Sequence, residues 1–240
     1  MARPLFIAHR GASAEAPENT LAAFRRALAL GADGIELDVQ VTRDGVPMVF
    51  HDTTLARLTG RPGRIAQFTR RELREFQVRG EAIPALTEVL ALTRDRCVVE
   101  VELKPGTPVA PVVAAIRRAR AGDAVVLASF EPELVAEACL WAPHLPRMLI
   151  HQGGGRGPAL VRARRLASVL ATLGAAGVSL NHQAIPSAKF IAALKRRGFC
   201  VWCWTVNQPR VMLRLARWGA DAILSDDPAL LKSTLAERPC

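Results

Sequence analysis

The chain has 240 residues, 50% of them hydrophobic, and carries 32 Lys and Arg against 22 Asp and Glu, for a formal charge of +10 and a pI of about 10.6. That length and apolar content are enough to bury a full core in one α/β barrel domain. No apolar run is long enough to cross a bilayer, and five scattered cysteines, an odd number, do not make a disulfide framework.

The first strand is expected near 4–8, which leaves no room before it for a signal peptide and implies a soluble, cytoplasmic protein. Pro17 and Asn19-Thr20 read as the turn and cap of a helix near 19–30, and Gly31 stands where it should stop. A second strand follows near 34–41. Residues 53–84 are too long for a loop, rich in Arg and Gly, and without strong periodicity, so they read as a small insertion. Beyond them, strands are expected near 97–103, 125–129, 146–150, 177–180, 199–204 and 221–225. Helices are expected near 86–94, 108–121, 132–141, 158–174, 187–197, 208–217 and 228–236. Eight strand-then-helix units predict a single (β/α)8 TIM barrel spanning 1–240, with no linker and no second domain.

In such a barrel the functional site lies at the C-terminal ends of the strands. Strand one ends in His9-Arg10, strand two carries Glu36 and Asp38, and strand three ends in Glu100, Glu102 and Lys104. Strand four ends in Ser129-Phe130, five in His151-Gln152, six in Asn181-His182, seven in Trp204-Thr205-Val206-Asn207 and eight in Ser225-Asp226-Asp227. Glu36 and Asp38 point to one strand face, with Ile35, Leu37 and Val39 on the other. Two carboxylates side by side repel unless a proton or a cation lies between them, and a hard divalent metal with oxygen ligands answers that need. The positive charge ordinarily raises nucleic acid or an anionic membrane as a partner. Here it is mostly Arg, spread as doublets such as Arg25-Arg26 and Arg117-Arg118 on helices, where a solvated face is the simpler reading. Cys200 and Cys203 have CxxC spacing, but on a strand they face opposite sides and cannot share a metal, so buried structural thiols are expected.

Four short motifs in order, His9-Arg10-Gly11, Pro17-Glu18-Asn19-Thr20, Glu36-Leu37-Asp38-Val39 and His51-Asp52, resemble the glycerophosphodiester phosphodiesterase family. Glu102-Leu103-Lys104, Trp204 to Asn207 and Asp226-Asp227-Pro228 extend the resemblance to nearly the whole chain. It implies hydrolysis of glycerophosphodiesters to sn-glycerol 3-phosphate and an alcohol. Glu36, Asp38 and Glu102 would hold Mg²⁺ or Ca²⁺, with Glu100 as a fourth ligand or a supporting partner. The competing reading pairs these carboxylates with Arg10 and Lys104. His9 and His51 would be the acid and base, since one proton must leave an attacking hydroxyl and another must reach the departing alkoxide. Arg10 and Lys104 would grip the phosphate. Glu18 and Asn19 would orient His9 or Arg10, unless they only cap the helix. Trp204 would wall the substrate or simply pack in the core. His151 and His182, which match no motif, are candidates for the pocket mouth. The short insertion favours a small-molecule glycerophosphodiester, with no nucleic acid and no stable membrane insertion. A lysophospholipase D or sphingomyelinase D-like activity is the nearest alternative, and a non-catalytic phosphate or nucleic-acid binding barrel is the alternative from another class.

Overall fold

The computed structural model describes residues 3–236. Its strands are β1 (Leu5–Ala8), β2 (Gly34–Val41), β3 (Pro47–Val49), β4 (Gln77–Val78), β5 (Glu81–Ala82), β6 (Val98–Leu103), β7 (Val125–Ser129), β8 (Arg147–His151), β9 (Gly177–Asn181), β10 (Cys200–Trp204) and β11 (Ala222–Ser225). The helices are α1 (Leu21–Ala29), α2 (Ala56–Thr59), α3 (Leu86–Thr93), α4 (Val109–Ala119), α5 (Pro132–Trp141), α6 (Ala159–Thr172), α7 (Ala188–Lys195), α8 (Pro209–Trp218) and α9 (Pro228–Ala236). Eight strands run parallel in the order β1-β2-β6-β7-β8-β9-β10-β11, and β11 pairs back onto β1 with Leu5 opposite Ala222. The sheet is therefore closed, with a helix after each strand: the expected (β/α)8 barrel. None of the described helices is long and apolar enough to cross a membrane.

Alternation along each strand sorts the side chains. Ile35, Leu37 and Val39 of β2 and Val99, Val101 and Leu103 of β6 are buried on the outer face, against α1, α3 and α4. The inner face of the barrel is apolar around Ile7, Ala128, Met148, Ile150, Trp202 and Leu224. Burying one such aliphatic side chain stabilises by about 1.5–3 kcal/mol, so the outer layer fixes strand register firmly. That register sets Glu36 beside Glu100 and Asp38 beside Glu102 across the β2–β6 pair. Four carboxyls thus occupy two rungs of one inward face.

The elements fall where the sequence pattern expects them, with shifts at the ends. Helix α1 begins at Leu21 rather than 19, because Asn19 adopts a left-handed φ of 58° and Thr20 is the extended cap. The Thr20 hydroxyl accepts the Ala23 N–H. The insertion proves to have its own architecture. Strand β3 pairs antiparallel with β2, β4 and β5 form a hairpin, and Phe50, Leu55, Ile65, Leu73 and Phe76 make a satellite core. This core begins at Met48, before residue 53, because β3 supplies its floor. Among the cysteines, Cys203 is buried as expected, whereas Cys200, at the rim where β10 starts, is exposed and Cys97 and Cys139 are half-buried. Cys240 lies outside the described residues.

Candidate active site

His9 follows β1 directly and is held by three other segments. Its Nδ1 donates to Asp226 Oδ1 at 2.7 Å, just past β11, and its Nε2 lies 3.9 Å from Glu36 Oε2. Asp226 is fixed in turn by Ser13 Oγ at 3.1 Å and by the Asn207 side-chain amide at 2.6 Å. Burial pushes the Asp226 carboxyl up, but His9 and these donors more than offset it, so it lies below its usual range and is an ionised acceptor. That assigns the proton to Nδ1 and leaves Nε2 facing the cavity. The tight turn after His9 requires glycine: Gly11 has φ 81°, and a Cβ there would sit 2.7 Å from the Ala23 backbone.

His51 is built the same way from the opposite side. Its Nδ1 donates to Asp52 Oδ1 at 2.7 Å. Arg57 clamps Asp52 and also bonds Glu18, which in turn accepts from Arg10 at 3.0 Å. The Arg57 hydrogen bonds hold the Asp52 carboxyl at about 2, with His51 adding to the effect. The Gln40 amide donates to the carbonyls of Phe50 and Asp52, tying this turn to β2. Burial lowers the His51 pKa, although Asp38 and Asp52 pull the other way.

Between the histidines lie the carboxylates. Glu36, Asp38 and Glu102 are 3%, 1% and 8% exposed, and each offers an oxygen within 4.8 Å of the others. Lys104 Nζ bridges Asp38 at 3.2 Å and Glu102 at 2.5 Å, while Arg10 Nε lies 3.5 Å from Asp38. The ion pairs with Arg10 and Lys104 are therefore present, yet they serve only part of the cluster. Burial, Asp38 and Glu102 push the Glu36 carboxyl well up, and burial and Asp38 bring Glu102 to about 7. Asp38 alone falls below its usual range, because Lys104 and Arg10 outweigh its burial. Glu100, one rung lower, is 1% exposed, has neither oxygen hydrogen-bonded, and is brought to about 8 by burial and Glu102. Were all four carboxyls ionised, they would exceed Arg10 and Lys104 by two negative charges. One divalent ion would balance them, and oxygen donors at this spacing suit Mg²⁺ or Ca²⁺. In a second candidate group, Glu18, His51 and Asp52, both carboxylates are already paired with Arg57.

His9, Arg10, Glu36, His51, Glu100 and Glu102 line one cavity of about 230 Å³, walled by Phe130 and Trp204. Those two rings meet edge to face at 5.5 Å, and Trp204 Nε1 donates to the Ser179 carbonyl. Trp204 is thus both packed and pocket-facing. Asp38 and Lys104 adjoin this lining, Asp38 against Arg10 and Lys104 against Glu102. Glu18 orients Arg10 as expected. Asn19 reaches Arg10 through its backbone, its N–H donating to the Arg10 carbonyl at 3.0 Å, while its side chain grips Asp38, donating to Oδ2 at 2.7 Å and accepting the Asp38 N–H at 3.3 Å. The left-handed turn at Asn19 swings the amide toward β2. His151 lines a neighbouring cavity rather than this one. Sequence reasoning did not reach the roles of Asp226, Asn207 and Arg57. The signals for Asp226 were its motif, Asp226-Asp227-Pro228, and its place at the end of strand eight, next to strand one in a closed barrel.

The sequence profile of the glycerophosphoryl diester phosphodiesterase family matches residues 9–230. A glycerophosphodiester phosphodiesterase of Caldanaerobacter subterraneus subsp. tengcongensis is 35% identical over 243 residues, covering 95% of this chain and 96% of that protein. Among solved structures, a putative glycerophosphoryl diester phosphodiesterase of Silicibacter pomeroyi superposes with a TM-score of 0.86 at 29% identity, over 99% of this chain and 95% of that one. An Oleispira antarctica phosphodiesterase, in complex with its product sn-glycerol-3-phosphate, superposes with a TM-score of 0.88 at 27% identity over 98% of both chains. With the barrel, the paired imidazoles and the inward carboxylates in their order along the sequence, the chain belongs to the glycerophosphoryl diester phosphodiesterase family.

Proposed function

We propose that the chain hydrolyses glycerophosphodiesters to sn-glycerol 3-phosphate and an alcohol, using His9 and His51 as acid and base beside a divalent metal, Mg²⁺ or Ca²⁺. A member of this family is a phosphoric diester hydrolase; the proposal concerns how this chain does it. One observation carries the reading: two imidazoles, each held at Nδ1 by an aspartate, line the same cavity as the carboxylate cluster. A barrel that only bound phosphate would need neither. The product bound by the Oleispira relative supports sn-glycerol 3-phosphate as the released phosphate.

The glycerol hydroxyl attacks phosphorus while the Nε2 of one neutral imidazole takes its proton, and the other histidine, which enters the step protonated on both nitrogens, gives its Nε2 proton to the departing alkoxide as the P–O bond breaks. Water then opens the cyclic phosphate with the proton roles reversed. Glu36, Asp38 and Glu102 would hold the metal, which when bound polarises a phosphoryl oxygen. Lys104 has three N–H donors and spends two on Asp38 and Glu102, leaving one for a phosphoryl oxygen. Arg10, anchored by Glu18, presents its remaining donors to the same oxygens. Trp204 and Phe130 wall the substrate. We read 1–240 as one such domain with its insertion at about 53–84, working in the cytoplasm on a small-molecule diester without nucleic acid or membrane insertion.

The test is turnover of glycerophosphocholine and glycerophosphoethanolamine by purified protein, with and without chelator. Activity should vanish in chelator and return with Mg²⁺ or Ca²⁺. Full activity in excess chelator, with no ion found by elemental analysis, overturns the metal role; no turnover of any glycerophosphodiester overturns the reading.

A further inference from the structure

The 22 acidic residues are not spread evenly: none lies between Glu137 and Asp221. Of the 32 Lys and Arg, twelve fall in that stretch and twenty elsewhere, so the whole positive excess belongs to 138–220. The stretch runs from the end of α5 through α6, α7 and α8, three helices packed in sequence on one flank of the barrel. Ten of the twelve cations are exposed, and among the described residues only Lys195 of these has an ion pair, with Asp221. Surface arginines elsewhere are answered by carboxylates, as in Arg26 with Glu15, Arg43 with Glu72 and Arg70 with Glu88. A helix face that meets only water gains from such mixing, whereas like charges three or four residues apart repel. Helix α8 nonetheless sets Arg210, Arg214 and Arg217 in one exposed row. The exposed apolar side chains fall in the same stretch. Among the described residues the large ones are Leu140, 84% exposed, Trp141, 48%, and Leu160, Val161 and Val169. On α6, Val161, Arg165 and Val169 recur every four residues and share one side of the helix, with Leu160 and Arg164 beside them. Arg147 joins the two groups, donating to the Gly174 carbonyl past α6 and to the Pro143 and Leu145 carbonyls past α5.

We infer that this flank, centred on α6 and the end of α5, docks the protein on the surface of an anionic lipid bilayer. The contact is peripheral, since none of the described helices is long and apolar enough to cross a membrane. It stands apart from the proposed function, because it uses no residue of the catalytic cavity. Two properties favour a bilayer over nucleic acid. Aliphatic side chains and an indole set among arginines suit the boundary between headgroups and acyl chains, where arginine stems lie on apolar surface and their heads meet lipid phosphate. A strand of nucleic acid is held instead by rows of aromatic rings on which bases stack, and Trp141 is the one aromatic among the large exposed side chains. The cations of α7 and α8 flank the contact and add attraction that acts over about a Debye length.

Sedimentation of the protein with lipid vesicles tests this. It should bind phosphatidylcholine vesicles that contain phosphatidylglycerol, fail to bind phosphatidylcholine alone, and be released by high salt. Arg164→Gln with Arg165→Gln should weaken binding about 25-fold, at about fivefold per charge. Val161→Ser with Val169→Ser should weaken it as well, through the lost apolar contact. Arg71→Gln with Arg74→Gln, which removes the same charge from the insertion, should leave binding near the parent value. All six side chains are exposed, so thermal melts of the variants should match the parent. Absence of binding to the phosphatidylglycerol vesicles overturns the inference. Equal losses in the two arginine pairs overturn it too, by reducing the effect to net charge. Tighter binding to duplex DNA or single-stranded RNA than to these vesicles at the same salt assigns the flank to nucleic acid and overturns the bilayer.

Discussion

His9 follows β1 and His51 follows β3, two strands that both pair with β2, and each has its Nδ1 tied to an aspartate while lining the same cavity. If both move protons, replacing either with Ala should lower kcat on the order of 10²–10⁴-fold. KM should change less, since Arg10, Lys104 and the metal still hold the phosphate. The double variant should be little worse than the poorer single one, because groups acting as a unit are not additive. A nitrophenyl ester, with its activated leaving group, should rescue the variant lacking the acid and not the one lacking the base. Near-normal kcat in both alanine variants would remove the histidines from the mechanism. Asp226→Asn tests the tether: an amide presents a donor to Nδ1 and reverses the tautomer, so kcat should fall with KM little changed. Equal loss in both parameters would mean that Asp226 only shapes the pocket.

At the scale of elements, the insertion does more than fill space. Its short helix α2 delivers Arg57 to Asp52 and Glu18, coupling the turn after β3 to the loop after β1. Asp52 sits at about 2 in the folded chain against an ordinary value of about 3.8. A depressed acid stabilises the fold fully above its unfolded pKa, and that contribution is lost as pH falls through the folded one. Arg57→Ala should therefore lower Tm at neutral pH, and the gap to the parent should close between about pH 4 and pH 2. Because Arg57 is half exposed, the effect at neutral pH should be about 1 kcal/mol or less. A gap that stayed constant down to pH 2, followed by thermal melts, would show that the clamp acts by packing and not by charge.

For the molecule as a whole, closing the barrel drives four carboxyls into an interior with two cations. Burial holds Glu36, Glu100 and Glu102 above the usual carboxylate range, so ionising them without a cation costs stability. Binding of a divalent ion to the folded state alone should raise its stability by about 2.7 kcal/mol at a hundredfold excess over Kd. Thermal melts with added Mg²⁺ or Ca²⁺ should show this as a higher Tm, and Glu102→Ala should lose most of the response. An unchanged Tm in the parent protein across a titration of both ions would count against the carboxylates as a metal site. Leu37→Ala, on the outer face of β2, should cost about 2–5 kcal/mol without altering that response, since it opens a cavity behind the strand and touches no charge.

Strand and helix positions, the closed eight-unit repeat and the inward pair Glu36 and Asp38 were legible in the sequence, because period-2 and helical patterning are local and the barrel follows from counting them. His9, His51, Arg10, Glu102 and Lys104 were legible as motif residues at strand ends. What hydrogen-bonds to what was not. Asp226 reaches His9 across 217 residues because β11 closes on β1. Asn19 turns to Asp38 because its backbone is left-handed, and the residues 53–84, aperiodic as sequence, gain order from a small core shared with β3. The larger cavity that His151 lines has no signature along the chain, since β8, β9, α5, α6 and α7 each contribute only one or two ordinary apolar residues to it. Local patterning determines which side chains face inward. Only closure of the ring decides which of them meet, because each contact joins segments that the chain itself keeps far apart.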